Sequence, residues 1–510
     1  MNIVIPMSGT GSRFAAKGYK EIKPLVPVFG KPIIKYIIDK FSSDDNFIFI
    51  CREEHLLNKK LDLKNYLNSL APNTTVLSIE NHKLGPVHSL IQIEKHLDIN
   101  EELIVNYCDF DWRWDYNEFK KWLLIEKPKA ALCVYSGFHP HYINPAPYAY
   151  TRNNQNHVLE IKEKESFTNY REEETAASGT FYFSSASLLL DACKWLVKKD
   201  ENINGEYYVS LLFNYFPLKG LRTLIYSIKY FMQWGTPQDL EEYIFFGKKI
   251  PLNFKKRKIN CPLIILMAGK GNRMKSINDI KKPYLEINKS NLFQICTQNF
   301  MSKKNNICAI NGDIEDEKNA ESFLDLKRVI VGQTASSVET LYLALQKSEL
   351  PDSEEVFIMP CDAAIDFDWD ERFNQFKNNK EVEAIIFSFS NYPHARWVPN
   401  QFGWLDLNKD DSVRKVGYKK GWNQDFSNPI VSGYFWFPNV GRLKTDLELF
   451  LETINATTKE PSIDEFCGFL IKNNKKVFSY NVKDFLCLGT YQEFRAYEYW
   501  LNANEISTLN

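Results

Sequence analysis

The chain carries no surplus of charge: 63 Lys and Arg stand against 64 Asp and Glu in 510 residues, a formal net charge of −1. That excludes a broad basic footprint for nucleic acid. Long apolar runs are missing too. None approaches the ~20 residues of a membrane-spanning helix. The run from Ile3 to Met7 is too short for a secretory leader and ends in glycine. Ten cysteines are scattered without a Cys-x-x-Cys pair, so neither a zinc site nor a disulfide framework is signalled. Buried free thiols in a reducing, cytoplasmic setting are expected. His139-Pro-His141 lacks the helical spacing of a metal-ligand pair and reads as loop. Glycine is sparse, at 22 residues, so its clusters are informative.

What is present is a duplication. Residues 3–14 read IVIPMSGTGSRF and residues 263–274 read LIILMAGKGNRM. Gly9, Gly11 and Arg13 recur as Gly269, Gly271 and Arg273, and Lys23-Pro24 recurs as Lys282-Pro283. Further blocks keep the same order. GPVHSLIQI (85–93) matches SSVETLYLA (336–344), and LIVNYCDFD (103–111) matches VFIMPCDAA (356–364). VLEIKEK (158–164) matches VRKVGYK (413–419), ASGTFYF (177–183) matches VSGYFWF (431–437), and MQWGT (232–236) matches CLGT (487–490). A period this long marks tandem domains, since solenoid repeats run about 20–50 residues. The expected domains are 1–246 and 259–510, joined by a polar, Lys/Arg-rich linker at 247–258.

Each half alternates strand-like and helix-like stretches. In the first half, strands are expected at 2–6, 47–51, 103–107, 130–135 and 179–183. Helices are expected at 31–41, 86–97, 116–125, 186–199 and 205–214. The second half repeats the alternation, with strands at 263–267, 356–360 and 383–389 and helices at 337–347 and 369–378. This predicts an α/β fold with a mostly parallel sheet in each half. The Trp residues at 112, 114, 122 and 195 are expected to pack rather than to stack on a base.

A strand running into Gly-x-Gly-x-Arg places that loop at the carboxyl end of a sheet strand, where ligands of α/β proteins bind. Glycines let backbone N–H groups approach phosphate oxygens. Arg13 adds a planar charged fork, and Lys23 a point charge. The third glycine and following acid of a dinucleotide fingerprint are absent, as is the Gly-Lys-Ser/Thr of a P-loop. Asp109 follows the apolar run LIVNYC and should lie at a strand end facing this loop. Asp111, two residues on, points the same way if the chain is extended; either it or Asp115 could instead cap the helix at 116–125. Asp362 is the counterpart of Asp109, while Asp366 and Asp368 read as capping or solvated.

PMSGTGSRF followed by KPLVPVFGKPII, with the looser LMAGKGNRM and KKPYLEI in the second half, resembles the signature of the sugar-phosphate nucleotidyltransferases. The resemblance spans nearly the whole chain, once per half. It implies two tandem Rossmann-like (GT-A-like) domains of mixed, mostly parallel sheet. It also implies an enzyme that joins an NTP to a phosphorylated sugar or sugar-like acceptor with release of pyrophosphate, in a surface-polysaccharide setting. Mg²⁺ is the implied cofactor, on Asp109 and Asp362 and with Asp111 as a further candidate. By the same resemblance Arg13, Lys23, Arg273 and Lys282 act on the phosphates. Gly9, Gly11, Glu80, Gly85, Gly269 and Gly271 surround the nucleotide, and Lys164, Gly179, Lys419 and Gly433 face the acceptor. Glu80 stands where many members read the base with Gln, and Val331 and Ser336 match Glu80 and Gly85 in the second half. The acid that many members carry before a Gly-Thr pair is Gln233 in one half and Cys487 in the other, so either Asp239 is a substitute or one metal contact suffices. Two other readings stay open: a non-catalytic, regulatory second half, and a glycosyltransferase with a similar nucleotide fold. Oligomeric state is open as well.

Overall fold

Residues 2–7 show why the first sheet is covered on both faces. Ile3 and Ile5 enter one apolar core and Val4 the other, as alternation along a strand dictates. The computed structural model describes residues 1–507, apart from 144–147, 251–253, 270, 272–273, 275–279, 320–325, 369–370, 419–426 and 455–459. The chain forms two compact units, Met1–Lys248 and Lys249–Asn510.

The first unit holds a nine-stranded mixed sheet. Its order is Thr74–Ile79, Asn46–Arg52, Asn2–Met7, Leu103–Asn106, Thr175–Phe183, Ala130–Tyr135, Thr223–Ser227, His157–Lys162 and Tyr150–Asn154. In the second unit the order Lys327–Ile330, Asn306–Ile310, Leu263–Leu266, Val356–Pro360, Ile430–Phe437, Val382–Phe389, Lys476–Asn481 repeats the first seven positions. The hairpin Gly403–Leu407 with Val413–Tyr418 takes the place of the last two strands. In both sheets a strand antiparallel to its neighbours, Thr175–Phe183 or Ile430–Phe437, interrupts an otherwise parallel run. The fold is therefore a Rossmann-like α/β fold with mixed, mostly parallel sheets.

Strand register proves the repeat atom by atom. Ile3 pairs with Ile104 and Leu263 pairs with Phe357, which places Asp109 and Asp362 at the same distance beyond the central strand. A small antiparallel pair completes each copy: Phe110–Arg113 with Tyr230–Gln233, and Ala363–Asp366 with Asp484–Cys487. These ribbons carry the Gly-Thr pairs to the ends of the central strands.

Three expectations change. The stretch 205–214 is helical only as the 3₁₀ segment Ser210–Asn214. Before it, Tyr207 pairs through its backbone with Leu84 (2.9 Å) and Val87 (3.2 Å), a tertiary pairing that overrides local propensity. The linker expected at 247–258 is part structure: the helix Pro237–Lys249 runs into it, and Arg257–Ile259 pairs with Phe300–Ser302. Asp366 is buried beside Arg257 rather than solvated. His139 and His141 are buried among aromatics, with His141 bonded to the Tyr135 hydroxyl at 3.1 Å. Desolvation lowers both imidazoles, His139 to about 4. All ten cysteines are free thiols, Cys487 alone being partly exposed.

Candidate active site

The glycine loop opens where Asn2–Met7 ends. Gly11 takes φ +62° and starts the short helix Ser12–Ala16. Gly271 takes φ +60° in the second half. A side chain at either would meet left-handed strain and the Cβ of the following lysine, at 3.7 Å from Lys23 and 3.4 Å from Lys282. Lys-Pro forms a one-turn 3₁₀ segment in each half, Lys23–Leu25 and Lys282–Tyr284. This aims the ammonium under the loop.

There the two halves build the same constellation. Lys23 Nζ donates to Asp109 Oδ2 at 2.9 Å and to the Gly235 carbonyl at 3.0 Å. Lys282 Nζ donates to Asp362 Oδ2 and to the Gly489 carbonyl, the latter at 2.6 Å. The ribbon is locked to the aspartate in each copy, by Trp234 N to Asp109 O at 2.9 Å and Leu488 N to Asp362 O at 2.8 Å. Asp109 and Asp362 keep 32% and 23% of their side-chain surface exposed. Removing the ammonium deletes one preorganised charge, so Lys23→Ala should lower kcat/KM of the first half by about 100-fold, roughly 3 kcal/mol. A loss below about threefold in single-substrate kinetics would make Lys23 a structural cation only.

Lys164 meets Tyr208. Lys164 Nζ donates to its hydroxyl at 2.6 Å, and that hydroxyl donates to Glu206. Burial and Glu206 raise the Tyr208 phenol, while the Arg13 charge draws it down, so Arg13 lies within electrostatic reach of Lys164's partner. Ser210 Oγ donates to Glu163 Oε2 at 2.5 Å, and burial raises that carboxyl. Glu163 is the acid of the Glu-Lys pair around Lys164; Glu206, Tyr208 and Ser210 escape the sequence reading, because the run 205–214 is expected to be helical. Its aromatic pair and Gly205 at φ +83° argue for a loop.

Other sequence candidates take different places. Gly85, at φ +82°, packs against the chain itself: a Cβ there would lie 2.7 Å from the Tyr207 carbonyl. Ser336 holds the same position as a helix cap, its side chain accepting from Glu339 N at 3.1 Å. Gly179 abuts Phe110 and Tyr107, and Gly433 abuts Pro360, so both pack on the segment leading to the aspartate. Glu80 is exposed just past Thr74–Ile79, and Gly9 and Gly269 are exposed in their loops. Arg273 and Lys419 lie outside the described residues.

Asp111 is the main correction. Both its oxygens are engaged, with Lys40 Nζ at 2.6 Å and Arg113 Nη1 at 2.7 Å, and it is buried. Burial alone would raise its carboxyl; Lys40 and Arg113 hold it below the usual range. The matching second-half residue is Ala364, as the pairs Asp111–Met232 and Ala364–Leu486 show. The Lys40–Asp111–Arg113 cluster therefore belongs to the first half and is not repeated in the second. Asp115, by contrast, does cap 116–126, accepting from Asn117 N at 2.8 Å and Glu118 N at 3.0 Å.

Asp239 caps the closing helix, its Oδ2 accepting from Thr236 N at 3.0 Å and Thr236 Oγ1 at 2.7 Å. Burial lifts its carboxyl to about 6, against a model-compound 3.8. The folded state holds this proton more tightly than the unfolded chain does. Stability of the first unit is therefore lost as pH rises between about 4 and 6, up to about 3 kcal/mol. Asp239→Asn keeps the acceptor and removes the charge. It should raise the thermal midpoint at pH 7.5 and leave it unmoved at pH 4, whereas equal shifts at both would exclude the buried charge as cause.

The sequence matches the family described as "Nucleotidyl transferase" over residues 3–208 and again over 263–503. No curated protein matches it. Among solved structures, it is similar to a nucleoside-diphosphate-sugar pyrophosphorylase from Vibrio cholerae RC9, at 18% identity and a TM-score of 0.40 over 48% of this chain and 99% of that one. A putative glucose-1-phosphate thymidylyltransferase from Bacillus anthracis matches at 18% identity and a TM-score of 0.39, over 50% of this chain and 98% of that one. Each of these covers about one half of the chain. With two family matches across most of its length, the chain belongs to the nucleotidyl transferase family.

Proposed function

We propose that each half transfers a nucleotidyl group from an NTP to a phosphorylated sugar or sugar-like acceptor, with release of pyrophosphate, for surface-polysaccharide synthesis. The observation that carries this reading is the recurrence of one constellation, Lys–Asp–glycine carbonyl, behind a Gly-x-Gly loop in both halves. A purely structural second half would have no need to keep a half-buried charge pair, which is costly unless used or well satisfied.

Asp109 and Asp362 would hold Mg²⁺, since hard carboxylate oxygens suit that ion. Among the described residues no group of three or more His, Cys, Asp or Glu could hold a metal, so substrate or solvent oxygens would be needed beside the aspartate. Bound there, the ion supplies charge neutralisation at the phosphates. The protein's own part is positioning and electrostatics. Gly9 and Gly11 admit the phosphates to the backbone, and Arg13 and Lys23 neutralise them. Lys164, steadied by Tyr208, orients the acceptor phosphate. That phosphate is mostly dianionic at pH 7, with a second pKa near 6, so it attacks in line without a general base.

The two acceptors should differ. Glu163 of the first half corresponds to Tyr418 of the second, which exchanges a hydrogen-bond acceptor for a phenol. The test uses the full chain with Mg²⁺, each of ATP, CTP, GTP, UTP and dTTP, and a panel of sugar 1-phosphates and phosphocholine. Pyrophosphate release should require one NTP together with an acceptor. No release from any combination, by a folded protein, would refute the reading.

A further inference from the structure

Three side chains outside the lysine–aspartate constellation form a directed chain into the first glycine loop. Leu84 N donates to His82 Nδ1 at 3.1 Å. A backbone N–H can only donate, so Nδ1 carries a lone pair and the ring is the neutral tautomer with its hydrogen on Nε2. His82 Nε2 lies 3.1 Å from Ser89 Oγ and must donate to it. Ser89 Oγ lies 2.7 Å from Ser8 Oγ. The polarity is fixed from Leu84 through His82 into Ser89; Ser89, having accepted, keeps its own hydrogen, and between it and Ser8 either hydroxyl can donate. Ser8 is the residue immediately before Gly9. Where Ser89 gives its hydrogen to Ser8, the Ser8 hydroxyl keeps its own to give.

Arg52 staples the same assembly from the neighbouring strand, its Nη1 reaching the Ser8 carbonyl at 3.3 Å and the His82 carbonyl at 3.4 Å. The His88 ring stands edge-on to His82 at 4.8 Å. Four segments are thereby tied to the loop's first residue: the ends of Asn2–Met7 and Asn46–Arg52, the turn after Thr74–Ile79, and the helix Pro86–Gln92.

The second half lacks this chain from its first side chain on, since Gln333 stands where His82 does. Ala268 stands where Ser8 does, and Thr340 where Ser89 does. Thr340 Oγ1 donates to the Ser336 carbonyl at 2.9 Å and meets Thr334 Oγ1 at 2.6 Å. Its hydrogen is directed back into its own helix, and nothing reaches the loop by this route.

We propose that His82 is a positioning residue of the first half only, which through Ser89 presents the Ser8 hydroxyl as a hydrogen-bond donor to an oxygen of the bound nucleotide. The proposal rests on nucleotide binding by the first half. Desolvation, His88 and Arg52 all lower the His82 imidazole, so it stays neutral at pH 7. Protonation would take the acceptor from Leu84 N. The charged groups facing the ring are His88 on the helix side and Arg52 on the strand side.

The test measures amide hydrogen exchange of the 8–16 peptide in the full chain without ligand, then KM for the NTP. His82→Ala should speed exchange and raise KM by about tenfold, on the order of one lost hydrogen bond, with kcat little changed. His82→Gln keeps a donor near Nε2 without titrating. It should retain slow exchange and abolish the loss of protection, relative to the intrinsic exchange rate at each pH, that wild type shows on acidification. In a Ser8→Ala background, His82→Ala should add nothing to KM. Unchanged exchange in His82→Ala, or equal KM effects with and without Ser8, would overturn the proposal. Because exchange is read without ligand, absence of NTP binding in wild type would instead refute the function and leave the loop-ordering result standing.

Discussion

Asp109→Asn should abolish pyrophosphate release by the first half, by at least about a thousandfold, and leave the second half at full rate. Asp362→Asn should do the converse, and the double variant should be inert. The amide preserves shape and can still accept from Lys23, so the fold should persist. What it removes is the negative charge that a divalent ion requires. It also leaves the lysine ammonium without its counter-ion. The measurement is pyrophosphate release under the two substrate pairs that the acceptor screen assigns. Near-normal turnover by Asp109→Asn with Mg²⁺ present would remove this residue from the metal site. Loss of both activities on either single change would show that the halves do not work independently.

Asp111→Ala should act on stability. Removing this carboxylate leaves Lys40 and Arg113 facing each other with no charge between them. Such a buried, half-broken ion cluster costs about 3–5 kcal/mol, enough to threaten the first unit outright. The denaturant midpoint of the first unit should fall steeply, while that of the second unit stays in place. Since the pair holds the Asp111 carboxyl below its usual range, the stabilisation is present above about pH 4. It fades as pH falls through the folded-state value. A variant of normal stability but without pyrophosphate release would return Asp111 to the metal site.

Much was legible because duplication acts as an internal control. Gly9, Gly11, Lys23 and Asp109 each recurred in order, and their recurrence identified the strand-end loop and its acid before any fold was known. The strands and the helices at 186–199 and 337–347 followed from periodicity, since apolar spacing reports which face is buried. The family resemblance rested on those same short motifs.

The remainder depended on contacts far apart in the chain. Asp111 and Asp109 share a spacing, but only the ribbon Phe110–Arg113 and the chain just past the helix Ile33–Ile38 decide that one meets Lys40 and the other Lys23. Tyr208 and Glu206 reach Lys164 because Tyr207 pairs with Leu84, an alliance that no local propensity encodes. Gly235 and Gly489 enter the site through carbonyl groups, which any residue type carries. Sequence patterns thus determined the number of domains, the class of fold and the glycine loop at the strand end, because these depend on local chemistry and on periodicity. Tertiary structure alone decided which carboxylates are open to a ligand and which are consumed as ion pairs or caps, because burial and partner geometry set the cost of a charge.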